Sequence, residues 1–199
     1  MEDKIIKIAI FASGNGSNFE VLAKHFEKLD DCKVEVLIYD KKDAFVITRA
    51  EKLNIESKYV DYSLGKSNGE DQIVEILKYK YIDIVFLAGF MRILSKKIIE
   101  IGIPIINIHP SLLPKYKGIN SIERAYNSND EKIGVTIHYV NERIDDGEII
   151  AQESIEIDRN KSLDEIESEV HKIEHKIYPV IAEKLCNELK SKKFKSIFS

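Results

Sequence analysis

The chain has 199 residues, a hydrophobic content of 44% and a formal net charge of -4. This composition suits one soluble globular domain, and the acidic balance argues against nucleic acid as the main partner. No apolar run approaches the roughly 20 residues of a membrane helix, and the N-terminus leads into a strand rather than a signal peptide. Cys32 and Cys186 lack metal-ligand or redox spacing. We therefore expect a cytoplasmic protein without a disulfide framework.

Strands and helices alternate through the first half of the chain. Runs of β-branched residues predict the strands, and apolar residues at helical spacing predict the helices. The predicted strands span 4–12, 34–39, 58–60, 82–88 and 105–108, and the predicted helices span 19–29, 44–53, 71–79 and 95–101, the last with a Ser95 cap. This alternation predicts a parallel sheet with right-handed crossovers.

The pattern changes in the second half, where a helix over 119–126 precedes two strands over 132–140 and 148–157. The two strands are predicted to form an antiparallel hairpin at the sheet edge. A long helix over 163–189 follows, with Ser162 and Glu165 as a capping box. Pro179 is expected to kink or split it, and residues 190–199 are expected to fray. The predicted fold is α/β: a Rossmann-like, mostly parallel sheet flanked by helices, with antiparallel edge strands and a long C-terminal helix.

A glycine turn over residues 13–18 separates the first strand from the first helix. Backbone N–H groups and the helix dipole at such a junction favour an anion, so phosphate binding is preferred over a bare structural turn. The turn is not a P-loop, and Phe19 occupies the third glycine position of a dinucleotide fingerprint. Asp40, at the end of the second strand, keeps a nucleotide-binding interpretation open. A single phosphate on a small metabolite is the preferred ligand.

Asn107 and His109 lie two residues apart at the carboxyl end of the fifth strand, before Pro110. Side chains two apart share one face of a strand, and ligands of open α/β sheets bind at this edge. Asp145 lies in a polar turn, where ordinary turn chemistry is the alternative role. A carboxylate folded back onto His109 would orient the imidazole. This trio suits attack of an amine on a carbonyl carbon, with an oxyanion stabilised by Asn107 and His109.

The remaining candidate groups are weaker. Ser111 lacks the Gly-x-Ser-x-Gly elbow of a serine hydrolase. His138 is as well explained by filling a face of its strand as by chemistry. His171 and His175 lie one turn apart, but the His-Glu-x-x-His order of a zinc site is absent. We therefore expect no metal.

Four sequence blocks together resemble the phosphoribosylglycinamide formyltransferase family. They are Ser13-Gly14-Asn15-Gly16-Ser17-Asn18, Leu87-Ala88-Gly89-Phe90-Met91-Arg92-Ile93-Leu94-Ser95, Asn107-Ile108-His109-Pro110-Ser111-Leu112-Leu113-Pro114 and Asp145-Asp146-Gly147. The third block and a later Asp are shared by the wider superfamily that uses formyltetrahydrofolate, and the first block narrows the match. The resemblance implies transfer of the formyl group of 10-formyltetrahydrofolate, a co-substrate, to the glycyl amine of glycinamide ribonucleotide, without metal, in purine biosynthesis.

The same resemblance implies roles for individual residues. The catalytic residues would be Asn107, His109 and Asp145. The phosphoribosyl group would be bound by Gly14, Asn15, Gly16, Ser17, Asn18 and Glu174. The folate would be bound by Lys66, Met91, Arg92, Ile93, Leu94, Val140, Asn141 and Asp145. The resemblance also implies a cis bond before Pro114. Residues 1–199 would form one formyltransferase domain, with a phosphate-binding part over about 1–100 and a folate-binding and catalytic part over about 101–199.

The chain departs from the family pattern at several positions. Asp145-Asp146-Gly147 replaces the frequent Asp-Gly-Gly, and Asp145 is the preferred acid because it follows the apolar Ile144. Lys117 stands where proline is common. His171 and Ile173 replace glutamines, and Lys66 replaces an arginine that meets the folate carboxylate. We expect these departures to affect affinity more than chemistry.

Three alternatives remain at the level of sequence. Two are related enzymes, a formyltetrahydrofolate hydrolase and a methionyl-tRNA formyltransferase, which carry extra domains at the N- and C-terminus respectively. The third is a nucleotide-binding regulatory module that uses Asp40. The expected partners are small-molecule substrates rather than nucleic acid or membrane, and the expected state is a monomer or homodimer.

Overall fold

The computed structural model describes residues 5–197, with side chains described through residue 191. The strands are β1 (Ile6–Ala12), β2 (Cys32–Tyr39), β3 (Ser57–Tyr59), β4 (Ile84–Leu87), β5 (Ile105–His109), β6 (Lys132–Tyr139) and β7 (Ile149–Glu156). The helices are α1 (Ser17–Phe26), α2 (Val46–Lys52), α3 (Lys66–Tyr79), α4 (Lys96–Ile99), α5 (Ser121–Tyr126) and α6 (Leu163–Ile197). The predicted strand start at Lys4 and the last two residues of the predicted frayed tail lie outside the described residues.

The seven strands form one sheet in the order β3-β2-β1-β4-β5-β6-β7. Strands β1 to β5 are parallel, whereas β6 is antiparallel to β5 and β7 is antiparallel to β6. The predicted fold class and the antiparallel hairpin at the edge are therefore confirmed. Because β1, β4 and β5 are parallel neighbours, their carboxyl ends and the loops that follow them meet at one edge of the sheet.

Alternate residues of the central strands enter two apolar cores. Ile8 and Ile10 in β1 belong to the core formed with α1, α2, α5 and α6. Ala9 and Phe11 belong to the opposite core, formed with α3 and α4. All four side chains are fully buried, which is the pattern of a parallel sheet covered on both faces.

Helix α6 is continuous from Leu163 to Ile197, so Pro179 does not split it in two. Proline removes one helical hydrogen bond, but tertiary packing can hold the helix together. The adjacent Tyr178 is fully buried, and its hydroxyl donates to the carbonyl oxygens of Leu87 at 2.9 Å and Ile106 at 3.3 Å. The helix continues past its predicted end at residue 189, and Lys190 pairs with Asp31.

The structure tests the predicted capping residues of two helices, α6 and α4. The capping box of α6 is confirmed, because Glu165 Oε2 accepts the Ser162 N–H at 2.8 Å and Ser162 Oγ accepts the Glu165 N–H at 3.4 Å. Ser95 precedes α4 as expected, but its hydroxyl donates to the buried Glu70 carboxylate rather than capping the helix.

Helix α3 begins at Lys66, five residues before the predicted start. The segment over 63–69 is polar, which predicts a loop, and Gly69 has low helix propensity. A Cβ at position 69 would lie 2.8 Å from the Tyr62 ring. Close packing of Tyr62 against the helix therefore requires glycine there, and this packing overrides propensity. In the described residues, no helix combines the length and apolar character needed to cross a membrane.

Candidate active site

Asn107 and His109 lie at the end of β5, and the antiparallel strand β6 adds a third polar side chain beside them. Asn107 pairs in register with His138, and His109 pairs with Thr136. The Asn107 Nδ2 atom lies 3.2 Å from His138 Nε2. His138 Nδ1 faces the Tyr139 carbonyl oxygen at 2.8 Å, so this nitrogen carries the proton and Nε2 accepts from Asn107. His138 thus orients the Asn107 carboxamide.

The Asp145 carboxylate lies at the centre of this polar network. Its Oδ2 accepts the Gly118 N–H at 2.8 Å and lies 3.4 Å from His109 Nδ1. Its Oδ1 lies 3.5 Å from Asn107 Nδ2 and 3.7 Å from His138 Nε2. The structure thus brings Asn107, His109 and Asp145 together.

The environment of Asp145 favours its ionised form. Burial alone raises the pKa of this carboxyl, because it penalises the charge. The Gly118 N–H and, when the imidazoles are protonated, the hydrogen bond with His138 and the charges of His109 and His138 together outweigh burial. The net effect holds the pKa of Asp145 below its ordinary value. The side chain is 12% exposed, so the carboxylate remains reachable from the site.

The neighbouring Asp146 points elsewhere. Its carboxylate forms an ion pair with Lys117 and lies 3.4 Å from Arg143 Nη1. The Lys117 ammonium lowers the pKa of Asp146, with a smaller contribution from Arg143. Asp145 has a positive φ of 47°, and this left-handed backbone directs successive side chains apart. Of the two acids, it is therefore Asp145 that meets the imidazoles.

His109 has both ring nitrogens in contact with acceptors. Nε2 lies 3.0 Å from the Tyr116 carbonyl oxygen, and Nδ1 faces Asp145. A protonated imidazolium can therefore donate from both nitrogens. The segment that supplies Tyr116 contains a cis bond between Leu113 and Pro114, as the resemblance implied.

The glycine turn connects β1 to α1 at the same edge of the sheet. Gly16 has φ +76°, and a Cβ there would lie 2.3 Å from the side chain of Val46, so no larger residue fits. Gly14 has open space around its Cα, which leaves its backbone accessible. Arg49 shapes the turn from outside, since its Nε donates to the Asn15 carbonyl oxygen at 2.8 Å.

Glu174, on α6, contacts the glycine turn across a sequence separation of 156 residues. Its Oε2 accepts from Asn18 Nδ2 at 3.1 Å and lies 2.7 Å from His171 Nδ1. Glu174 is buried, so its charge is compensated by these two partners. The hydrogen bond that His171 donates to Glu174 raises the pKa of His171, whereas burial lowers the pKa of His175.

The segment after β4 forms another wall of the same edge. Met91 donates its backbone N–H to Ser13 Oγ at 2.8 Å, which ties this segment to the glycine turn. Met91 and Ile93 expose apolar side chains, while Leu94 is buried. Arg92 Nε donates to Asp40 Oδ2 at 2.6 Å, and its guanidinium lies 4.6 Å from the Tyr62 ring centroid.

The contact between Arg92 and Asp40 argues against a nucleotide-binding role for Asp40. The Asp40 side chain is only 1% exposed and pairs with Arg92. It is therefore not placed to accept the hydroxyl groups of a ribose, which that interpretation needs.

The loop between β6 and β7 lies opposite the segment after β4. The Val140 N–H donates to the Ile105 carbonyl oxygen at 2.9 Å, and Asn141 Nδ2 donates to the Asp146 carbonyl oxygen at 3.0 Å. Lys66 lies on the first turn of α3, with Nζ 3.9 Å from the buried Glu70. In the part of the chain that the structure describes, no group of three or more His, Cys, Asp or Glu side chains is arranged to hold a metal ion.

Comparison with known proteins gives the family of the chain. Residues 6–181 match the family of formyl transferases. The chain belongs to the formyl transferase family. It is 41% identical over 183 residues to the phosphoribosylglycinamide formyltransferase of Bacillus subtilis (strain 168), covering 90% of this chain and 94% of that protein.

Solved structures that resemble this chain carry the same enzyme name as its sequence relatives. The phosphoribosylglycinamide formyltransferase from Bacillus halodurans is 39% identical, with a TM-score of 0.85, and the match covers 90% of this chain and 94% of that one. The enzyme of the same name from Streptococcus pneumoniae TIGR4 is 36% identical, with a TM-score of 0.84 over 91% of this chain and 99% of that one.

Sequence reasoning assigned too little to His138 and did not anticipate Gly118 or Tyr116. The sequence leaves the role of His138 open between filling a face of its strand and taking part in the chemistry. In the structure, His138 contacts Asn107 and Asp145. The signal that could have found it is the hairpin itself, because an antiparallel β6 beside β5 must place one of its residues opposite Asn107. The Gly118 and Tyr116 contacts use backbone atoms, which carry no sequence signal.

Proposed function

We propose that the chain transfers the formyl group of 10-formyltetrahydrofolate to the glycyl amine of glycinamide ribonucleotide in de novo purine biosynthesis. The observation that carries the proposal is the meeting of Asn107, His109 and Asp145 at the sheet edge that also holds the glycine turn. The names of the similar proteins, which match over nearly their whole length, support the same reaction.

The reaction exchanges one C–N bond for another. The glycyl nitrogen attacks the formyl carbon, a new C–N bond forms, and the bond from that carbon to N10 of the folate breaks. The attacking amine loses one proton and N10 gains one. We assign this proton transfer to Asp145 and His109, because a carboxylate and an imidazole 3.4 Å apart can pass a proton between them.

The negative charge that develops on the formyl oxygen needs donors nearby. Asn107 donates one N–H to His138 at 3.2 Å, whereas its contact with Asp145 at 3.5 Å is long for a hydrogen bond. The second N–H is therefore the one that we assign to the formyl oxygen. The imidazolium of His109 adds positive charge, and both groups are held before substrate binds.

The glycine turn is assigned to the substrate phosphate. The first backbone N–H groups of α1 have no intrahelical partner and point toward the turn, and the helix dipole adds a partial positive charge. Gly14, Asn15, Gly16, Ser17 and Asn18 would supply these contacts. Glu174, held by Asn18 and His171, would accept hydrogen bonds from the ribose hydroxyls.

The folate is assigned to the groove between the segment after β4 and the loop after β6. Met91, Arg92, Ile93 and Leu94 would form one side, and Val140, Asn141 and Asp145 the other. The exposed side chains of Met91 and Ile93 fit an aromatic ring system, and the Lys66 ammonium fits the carboxylates of the folate tail. We propose one domain over 1–199, with the phosphate-binding turn in the part over about 1–100 and the catalytic trio in the part over about 101–199. Lys66 and 91–94 of the first part would reach the folate, and Glu174 of the second part would reach the ribose.

A formyltetrahydrofolate hydrolase would use the same catalytic trio with water as the acceptor. Water needs no phosphate anchor, so the glycine turn favours the transferase. The test incubates the purified chain with 10-formyltetrahydrofolate and either glycinamide ribonucleotide, a non-phosphorylated sugar amine or water alone. The proposal expects formylated ribonucleotide and tetrahydrofolate in equal amounts only with the first acceptor. Deformylation at the same rate in water alone would overturn it in favour of the hydrolase.

We also propose that the enzyme is cytoplasmic and acts on small molecules as a monomer or homodimer. Thermal-shift titration separates this enzyme from a nucleotide-binding module. The melting temperature should rise with the folate and with glycinamide ribonucleotide, and stabilisation by NAD alone would contradict the assignment.

A further inference from the structure

Lys117 and Asp146, two departures from the family pattern, contact each other in the folded chain. Lys117 Nζ forms an ion pair with Asp146 Oδ1, and both side chains are about one-third exposed. Lys117 lies in the segment that follows β5, and Asp146 lies in the loop between β6 and β7. The ion pair therefore connects the segment after β5 with the loop between β6 and β7. These two segments surround the proposed catalytic residues.

The backbone on each side of Lys117 touches one member of the catalytic trio. The preceding carbonyl oxygen, of Tyr116, lies 3.0 Å from His109 Nε2. The following N–H, of Gly118, donates to Asp145 Oδ2 at 2.8 Å. Any movement of Lys117 relative to the loop of Asp146 would change the His109 and Asp145 contacts together.

The turn that contains Lys117 needs outside contacts to keep its shape. Tyr116 has φ 56° and Gly118 has φ 78°, so two left-handed residues flank Lys117. A non-glycine residue in this conformation is strained and persists only where its surroundings hold it. Arg124 Nη2 donates to the Lys117 carbonyl oxygen, and Asn141 Nδ2 donates to the Asp146 carbonyl oxygen. The ion pair joins these two anchored backbones.

We propose that Lys117 and Asp146 are a positioning pair, which fixes the Tyr116–Gly118 turn against the loop of Asp145 and so sets the His109–Asp145 geometry. This inference rests on the proposed catalytic roles of His109 and Asp145. A proline at position 117 would restrict the turn through its ring, and a glycine at 146 would carry no charge. In this chain, the ion pair between Lys117 and Asp146 restricts the turn instead.

An exposed ion pair between free side chains usually contributes little. Here the carbonyl groups of Lys117 and Asp146 already accept hydrogen bonds. Little additional conformational entropy is therefore lost when the two side chains form the ion pair. The effect is expected on the orientation of Asp145 more than on global stability. Substrate affinities should change little, because neither side chain is assigned to substrate.

The experiment compares Lys117→Met, Asp146→Asn and their double variant with the unmodified chain in formyl transfer. Each single change should lower kcat by about 3- to 10-fold, the size of effect expected from a modest electrostatic contact. KM for both substrates should stay within about twofold of that of the unmodified chain. The double variant should lose no more than either single variant, because the two side chains act as one unit. Lys117→Arg should keep most of the activity.

Lys115→Met is the matched control. Lys115 lies in the same segment and pairs with Asp130 at 2.8 Å, and Asp130 also accepts the Tyr116 hydroxyl at 2.8 Å, a contact that Lys115→Met leaves in place. Its loss removes an equivalent surface ion pair and should leave kcat unchanged. Equal losses in Lys115→Met and Lys117→Met, or additive losses in the Lys117–Asp146 double variant, would overturn the proposal.

A second measurement separates this inference from the proposed reaction. Solvent exchange of the Gly118 amide proton, followed by NMR, reports its hydrogen bond to Asp145 without any turnover. Exchange should become about threefold faster or more in Lys117→Met and Asp146→Asn, and remain unchanged in Lys115→Met. If the exchange rate is unchanged in all variants, Lys117 and Asp146 do not position the turn, even if the unmodified chain transfers formyl groups. An unmodified chain that shows no formyl transfer would refute the function, while the exchange data would still decide whether the pair holds the turn.

Discussion

Around Asp145 the polar side chains contact one another, whereas polar atoms beside the glycine turn have no partner within the protein. Asp145 contacts Asn107, His109 and His138, and it accepts the Gly118 N–H. Among the described residues, four buried side-chain atoms lack a hydrogen-bond partner: Asn18 Oδ1 and His175 Nε2 on the side of α1 and α6, and Asp40 Oδ1 and the Tyr62 hydroxyl beside Arg92. The catalytic end is thus arranged by the protein alone, while the anchoring end leaves polar groups that substrate can complete.

This difference predicts how each region responds to substitution. Changes in the catalytic network should reduce kcat, because its geometry is already set before substrate binds. Changes at the anchor should act on KM or on folding, because that region is assigned to the substrate phosphate and holds α1 against α2. Four experiments, three of which compare two variants, test this division.

Asp145→Asn should have the largest effect. Asparagine tolerates the left-handed backbone of this position, so the fold should persist while the proton acceptor is lost. We expect kcat to fall by about 10²- to 10⁴-fold, the range for general acid–base groups. Asp146→Asn should lose no more than about tenfold, because its partner is Lys117 at the surface. If Asp146→Asn were the more damaging change, the assignment of the acid would be wrong.

Asn107→Ala should be next, with kcat reduced by about 100- to 1,000-fold as expected for loss of an oxyanion donor. Steady-state kinetics with both substrates would show this as a fall in kcat with KM little changed. Unchanged turnover would remove Asn107 from the mechanism. His138→Gln should give an intermediate loss, because it disturbs the orientation of Asn107 rather than removing the donor.

Gly16→Ala should lower the free energy of unfolding by about 1–3 kcal/mol, because it forces a left-handed alanine against another side chain. The clash is with Val46, at the start of α2. Gly14→Ala is the matched variant, since no atom lies within 4 Å of its added Cβ. It should fold normally and raise KM for the phosphorylated substrate. Denaturant unfolding of both variants tests this, and equal stability would contradict the packing argument.

His171→Gln should have the smallest effect and should appear in the pH dependence. The hydrogen bond to Glu174, together with the charges of Glu174 and Glu167, raises the pKa of His171 above its ordinary value of 6.5. The charge of His171 is fully present below the unfolded pKa and is lost as pH rises through the folded value. Glu174 is then held less firmly for the ribose hydroxyls, so KM for the phosphorylated substrate should rise by about threefold above neutral pH, and remain flat in the glutamine variant. A flat profile in the unmodified chain would show that His171 does not position Glu174 for the ribosyl group.

The same division explains what the sequence could predict. The glycine turn was predictable because its elements are neighbours in the chain, and the strand–turn–helix order alone locates it. Asn107 and His109 were predictable as a pair because they lie two residues apart on one strand. The participation of Asp145 followed from resemblance, and its contact with His109 depends on how the β6–β7 loop folds back.

The features that sequence reasoning missed depend on distant contacts. His138 reaches Asn107 only through the antiparallel register of β5 and β6. Helix α6 passes Pro179 unbroken because Tyr178 is anchored to β4 and β5. The contact of Lys117 with Asp146 joins residues 29 apart that local patterns cannot pair.

The central claim is that one substrate spans the glycine turn and the Asp145 network. A crystal structure of the chain with glycinamide ribonucleotide and a folate analogue that cannot transfer its group tests this most directly. The account predicts the phosphate on the backbone N–H groups of residues 15–18 and the glycyl nitrogen within about 3.5 Å of Asn107 or Asp145. A phosphate bound away from the turn, or a glycyl nitrogen out of reach of both side chains, would contradict it.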